Sequence, residues 1–555
     1  MQKFDRKSLS LSGKWGFYVD PMERGIRQEW WKNQRQEPWC FPCYDECART
    51  ITIPHSWASE PDLKYYEGVC LYSKRFDFEY CETGRVFIRF GAVNYKCDVY
   101  LNSEHVCFHE GGYLEFTAEV TSLIKKKNNN LWIVANNSRS KDRIPSVIFD
   151  WWNDGGIIRD VEVFEVPKQN AIENYKVTTS LKDGKVFIDL SVFADCEVRV
   201  QIEELEIDCT IMKNAVFELP ENKVRLYSHE DPYRYKIILS TSTDQISEYV
   251  GFREIKISGK DILLNGSKLM LKGVNVHEDY GKTGCADIHE EIDKVFDKLQ
   301  ELGVNFVRSS HYPHSRYFVE KAEKLGIFIL EEIPLYWYVF WDEFDMESKA
   351  QSQLDEMIER DKNRANILIW GVGNEMSRDL SNAPHIASLA NYVRTLDLSR
   401  PVSYVCSIRD KQPDGKFALF MPDSMYESLD IISINCYCSF MDDGTDKGDS
   451  ARVVHAYEKF GKPILITECG AQSVLGNHEG GHHDEARHAN ILKQQIEEFL
   501  STDLISGVAV WILQDGRTPL YYLYNSLHLF RYGLCDESLN EKLAFKYLKQ
   551  KYSEL

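Results

Sequence analysis

The chain has 555 residues, with 66 Lys plus Arg against 86 Asp plus Glu, a formal net charge of −20, and hydrophobic and charged fractions of 43% and 27%. At about 100–200 residues per domain this is a globular protein of roughly three or four domains, which excludes small disulfide- or metal-stapled scaffolds. The negative balance, with no basic run beyond Lys125, Lys126 and Lys127, disfavours nucleic acid and anionic membranes as partners. The N-terminus MQKFDRKSLSLSGKW has no apolar core of signal-peptide length, and no apolar run reaches the ~18 residues of a membrane span, so a cytoplasmic location is expected. The 15 Cys, several inside apolar runs (Cys97, Cys107, Cys436), suit buried thiols in a reducing compartment.

From Leu11 to about Pro167, short alternating stretches such as RVFIRFGAV (85–93) and NLWIVANN (130–137) predict an antiparallel β-sandwich. Residues 168–255 continue it with KVFIDLSVFA, EVRVQIEEL and YRYKIILSTST, the length of one immunoglobulin-like sandwich. After about Phe252 apolar strand-like runs alternate with amphipathic helical ones. Eight strands are expected, in the runs 269–277, 304–311, 327–334, 367–375, 401–407, 431–437, 463–470 and 507–515. Between the first two, IHEEIDKVFDKLQELG (288–303) places Ile292, Val295, Phe296 and Leu299 on one helical face. Eight such units in about 300 residues predict a (β/α)8 TIM barrel. The expected architecture is a jelly-roll-like sandwich (1–167), an immunoglobulin-like sandwich (168–255) and a catalytic barrel (256–555).

A barrel of this kind builds its site at the C-terminal ends of the strands, where this sequence is rich in polar groups. They include His277, Glu278 and Asp279; Arg308, Ser310 and His311; Glu331 and Glu332; Asn374 and Glu375; Asn435 and Tyr437; Glu468; and Asp515 after a strand containing Trp511. Glu375 and Glu468 end the fourth and seventh apolar runs and can converge from opposite sides over the mouth. Glycoside hydrolysis needs such a pair, one acid protonating the leaving oxygen and the other attacking or stabilising the oxocarbenium-like carbon.

These residues sit in GVNVHED (273–279), VRSSHYP (307–313), ILIWGVGNE (367–375), ILITECG (464–470) and DWWNDGGIIRDV (150–161). In them, and over essentially its whole length, the chain resembles glycoside hydrolase family 2 in its β-glucuronidase-like branch. The resemblance implies a retaining exo-β-glycosidase with Glu375 as general acid/base and Glu468 as nucleophile, their carboxyls about 5–5.5 Å apart. It further implies an ionised Glu468 supported by Arg308, a protonated Glu375, and Asn374 on the sugar 2-hydroxyl. Asp150, His277, His311, Tyr437 and Trp511 resemble the subsite that grips the remaining hydroxyls. Neither cofactor nor metal is expected, and self-association into a homo-oligomer is, because family members often associate through their β domains.

The sugar is less determined. Branch members carry an Asn-x-Lys motif after the eighth strand for the substrate carboxylate, and here Phe530, Arg531 and Tyr532 replace it. Asn540-Glu541-Lys542 has the right letters but lies beyond Gly533. Arg531 could take the carboxylate of a glucuronide or galacturonide through its guanidinium fork. The alternatives are a β-galactosidase or other neutral exo-β-glycosidase, and a carbohydrate-binding protein without catalysis. Two metal-like patterns, Cys40-Cys43-Cys47 and the loop NHEGGHHDEARH (477–488), are read as free thiols and a solvated loop. The aromatic run after the third strand, which includes Tyr336, Trp337, Phe340 and Trp341, could wall the pocket or pack on the β domains.

Overall fold

A computed structural model describes residues 6–32, 49–376, 381–407, 422–437, 449–520 and 528–555; Cys40, Cys43 and Cys47 lie outside these residues. The first sandwich pairs a six-stranded antiparallel sheet, running from Arg49–Ile53 at one edge to Glu104–Glu110 at the other, with a four-stranded sheet that includes Gly84–Phe90 and Val161–Pro167. Alternation does the work expected of it, since Val86, Ile88 and Phe90 turn inward together. The next segment forms sheets of three and four strands around Val177, Ile188, Leu190, Val200 and Ile237.

Eight parallel strands then close a barrel: β1 (Leu271–Val276), β2 (Phe306–Ser309), β3 (Phe328–Glu332), β4 (Ile367–Asn374), β5 (Val402–Ser407), β6 (Ile431–Asn435), β7 (Ile464–Glu468) and β8 (Ile505–Val510). The helix His289–Leu302 buries Ile292, Val295, Phe296 and Leu299 as its periodicity predicts, and Gly303 ends it at φ 70°, the left-handed turn glycine takes without strain. Apolar side chains of the strands, among them Leu271, Phe306, Phe328 and Leu465, pack with Tyr227, Ile262 and Leu264 from the chain preceding the barrel. The interior is therefore a core, and polar chemistry is left to the strand ends.

One boundary differs from expectation. β8 stops at Val510, because the amide of Trp511 bonds Cys469 O (2.9 Å) and that of Ile512 bonds Tyr532 O (3.3 Å), so Trp511 sits on the loop above the strand. Among the described residues no helix is long and apolar enough to cross a membrane.

Candidate active site

Arg308, at the end of β2 and fully buried, organises the mouth of the barrel. Its fork meets Glu332 at 3.1 Å (Nε to Oε2) and 2.7 Å (Nη2 to Oε1), while Nη1 donates to Glu468 Oε1 at 2.6 Å. Nη1 also reaches Asn275 Oδ1 (3.2 Å) and Nη2 reaches Asn374 Oδ1 (2.8 Å), so one guanidinium joins β1, β2, β3, β4 and β7. The glycines before Asn374 make room for this: a Cβ on Gly371 would lie 2.5 Å from Glu332 Cβ. Asn275 reaches across the barrel to Thr467 O at 2.7 Å, which ties β1 to β7 beneath Glu468.

The two carboxyls paired in the sequence reading come together here. Tyr437 donates to Glu468 Oε2 (2.8 Å). Glu375 is half-buried and follows β4 in a left-handed conformation, φ 43°; strain of this kind persists where surrounding contacts enforce it. Asn435 Nδ2 donates to its Oε1 (3.0 Å) and Trp337 Nε1 to its Oε2 (3.3 Å). Burial pushes the Glu468 carboxyl up to about 8, against the pull of Arg308 and with a further push from the Glu375 charge. Arg308 thus stands where the sequence reading put it, but it also serves Glu332 and does not offset desolvation, so Glu468 is not held ionised as expected. Glu332 is raised too, by burial first, with Arg308 opposing.

Asn374 accepts from Arg308 and from Asn435 Nδ2 (3.2 Å) through one oxygen, and its own Nδ2 is buried without a partner. That leaves an N–H pair for an incoming acceptor. His311 Nδ1 lies 2.9 Å from Glu332 Oε1 and 3.0 Å from Arg308 Nη2, and Nε2 is 4.0 Å from Glu468 Oε1. Burial, reinforced by Arg308, lowers His311 well below the usual imidazole range. His277 is lowered likewise, chiefly by burial. Its ring lies edge-on to Trp511 at 5.2 Å, and Trp511 stacks on His311 at 5.1 Å.

The remaining wall comes from the first sandwich. Asp150 and Trp151 reach over the barrel, Trp151 standing 5.7 Å from His311 and 5.0 Å from Tyr336 by ring centres. Burial raises the Asp150 carboxyl to about 7, with Tyr336 opposing and Glu375 adding to the rise. Buried ion pairs clamp this loop. Arg159 of the sandwich meets Glu278 after β1 (2.9 Å), and Arg517 bridges Asp154 of the sandwich (2.9 Å) and Asp279 (2.8 Å).

Arg531 is only partly with them. Its neighbours Phe530 and Tyr532 face His277 (5.9 Å) and Tyr437 (5.9 Å). Arg531 Nη1 is taken by Glu537 (3.1 Å) and Asp515 (3.3 Å), leaving Nε and Nη2. Lys542 is fully buried on Asp515 (2.7 Å) and Ser473 O (2.8 Å), and Asn540 bonds Asp536, so that triplet is structural. Sequence reasoning noted Glu332 and Asn435 without giving them places in the site, and left the aromatic run between the pocket wall and the β domains. The aromatic run divides: Tyr336 and Trp337 face the pocket, whereas Trp341 stacks on His385 (4.2 Å).

Residues 255–510 match the family model for the TIM barrel domain of glycosyl hydrolases family 2, and residues 8–167 match that for its sugar binding domain. A β-glucuronidase of Paenibacillus borealis is 26% identical over 99% of this chain and 97% of its own. Among solved structures, a β-glucuronidase of an uncultured Clostridium sp. superposes with a TM-score of 0.88 at 21% identity, covering 100% of this chain and 99% of that one. A GH2 β-galacturonidase from Eisenbergiella tayi gives 0.81 at 26% identity, covering 100% and 98%.

Proposed function

Since the chain belongs to glycosyl hydrolase family 2 and is a glycoside hydrolase, we propose that it removes terminal β-linked hexuronic acid, glucuronic or galacturonic, with retention through a covalent glycosyl-enzyme. The observation that carries the mechanism is the convergence of Glu375 and Glu468 from opposite strands around Arg308, beside the unpartnered amide of Asn374. The hexuronide follows from relatives named for both uronides along nearly their whole length.

In this mechanism Glu375 protonates the leaving oxygen while Glu468 attacks the anomeric carbon. Asn435 and Trp337 then stabilise the Glu375 carboxylate that remains. As the glycosyl bond to Glu468 forms, Arg308 loses part of one partner and keeps Glu332, so it stays paired throughout. Asn374 Nδ2 donates to the sugar 2-hydroxyl, a contact that strengthens toward the transition state. Asp150, His277, His311, Tyr437 and Trp511 grip the ring, with Asp150 on a hydroxyl remote from the bond broken.

Glu468 must be ionised to attack, and burial together with the Glu375 charge raises it to about 8. kcat/KM is therefore expected to rise with pH toward about 8 as Glu468 ionises. In Glu375→Gln, assayed with an activated aryl leaving group, removing the neighbouring charge should move this acidic limb to lower pH; an unmoved limb would assign it to another group.

The pairing of Arg531 with Asp515 and Glu537 favours one second reading, a neutral glycone. Turnover of p-nitrophenyl β-D-glucuronide, β-D-galacturonide and β-D-galactoside by wild type and Arg531→Ala separates the two. A preferred uronide whose KM rises selectively, by roughly 10–100-fold, in Arg531→Ala makes Arg531 the carboxylate ligand through Nε and Nη2, the loss of one charge-assisted contact. A preferred galactoside with Arg531→Ala unchanged overturns the hexuronide reading and leaves the two-glutamate mechanism intact. We further propose a cytoplasmic homo-oligomer.

A further inference from the structure

The loop at 477–488, where metal-ligand residue types crowd in sequence, does not gather them. His488 is buried against Ser473 (2.9 Å), and Asp484 caps the helix Glu485–Leu500 through the amide of Arg487. Among the described residues a ligand set forms instead at Asp150, His277 and His311, where one ligand atom of each lies within 4.8 Å of the others.

Three observations point to a cation there. His277 is 3% exposed and neither ring nitrogen makes a well-formed hydrogen bond, the Ser310 backbone being the polar group beside it, and one buried oxygen of Asp150 is unpartnered. His311 Nδ1 faces Glu332 Oε1 (2.9 Å) and Arg308 Nη2 (3.0 Å), so its other ring nitrogen, Nε2, is the one toward the pocket, 4.0 Å from Glu468 Oε1. Metal-binding histidines are oriented in this way by a carboxylate on the far nitrogen. Finally, Asp150, Glu332, Glu375 and Glu468 surround the pocket, with Arg308 as the cation contacting Glu332 and Glu468. A cation entering among them would favour their ionised forms.

We infer that the empty pocket binds one borderline divalent cation, with zinc as the representative ion, through Asp150, His277 and His311, and that this ion and the sugar exclude one another. Two imidazoles and a carboxylate with an open fourth position form a set that zinc accepts. Zinc holds such ligands at about 2.0–2.2 Å, so neighbouring ligand atoms sit roughly 3.4 Å apart and the trio must close by about an ångström. Asp150, less buried than the two histidines, can supply most of that movement. The ion has no part in hydrolysis: it occupies the position of the sugar hydroxyls, and its effect is inhibition. The exclusion rests on the sugar subsite proposed above, whereas the binding does not.

The test uses the full-length, metal-stripped enzyme. Titration of ZnCl2 against a fluorescent zinc chelator is expected to find one equivalent in wild type and in His482→Gln/His483→Gln. In Asp150→Asn and His277→Gln it should bind more than about tenfold more weakly. Co2+ in wild type should give d–d absorption without a thiolate charge-transfer band, and added hexuronic acid should displace it, a readout independent of any variant's folding. Zinc should raise KM for the preferred glycoside, leave kcat unchanged, and be reversed by EDTA. No binding, binding indifferent to Asp150 and His277, or a thiolate band would overturn the site. One-equivalent binding that no sugar displaces would keep the site and overturn the exclusion alone, and with it the proposed subsite.

Discussion

Glu468→Gln is expected to lower kcat on the preferred p-nitrophenyl β-glycoside by ~10⁴-fold or more, because without a nucleophile the displacement has no covalent path. The amide has nearly the volume of the carboxyl, can accept from Arg308 through its oxygen, and can donate to Tyr437. Arg308 keeps its two-point pair with Glu332, so no buried charge is stranded and thermal stability should be unchanged or slightly higher. Sugar binding should survive, which also separates a catalyst from a binding-only protein. Glu468→Gly should be partly rescued by azide, which enters from the vacated face and yields the α-glycosyl azide by inversion. For wild type, NMR of the first-formed sugar should show the β-anomer. Residual turnover within tenfold of wild type would sink the assignment.

Glu375→Gln should depend on the leaving group, since proton donation contributes about 10²–10⁴-fold only where the leaving oxygen needs it. Poor phenols should lose that full range. With an activated nitrophenol the glycosyl-enzyme should still form, but its hydrolysis should slow because no base activates water, giving a burst followed by a slow steady state. Azide needs no base, so it should restore turnover and give the β-azide. The opposite anomers from the two variants assign the faces of the sugar to the two glutamates. A leaving-group-independent loss in Glu375→Gln would count against its acid role.

Much of this was legible from strand ends. A β-strand with an unbroken apolar run says little about itself, but the first polar residue after it marks the barrel mouth, which is why Arg308, Asn374, Glu375 and Glu468 could be chosen. Glu332 was visible by the same rule yet received no role, because two acids in succession do not reveal which one meets a guanidinium from the neighbouring strand. Structure distinguishes them: Glu332 takes Arg308, and Glu331 takes Arg360 (2.6 Å). Arg531 was chosen by alignment with a missing motif, and alternation along 530–532 could have warned that it faces opposite to Phe530 and Tyr532. Asn275 was hidden inside an apolar strand, where only the barrel's closure shows it bridging to β7.

The ion pairs Arg159–Glu278 and Asp154–Arg517–Asp279 carry a consequence for biosynthesis. The pocket wall of Asp150 and Trp151 belongs to a body that leaves the ribosome first, whereas Glu375 follows after about two-thirds of the chain and Glu468 after about five-sixths. A nascent enzyme therefore lacks a complete pocket until its last barrel strands close and the early sandwich docks onto them. Onset of turnover during synthesis would thus date the final docking event.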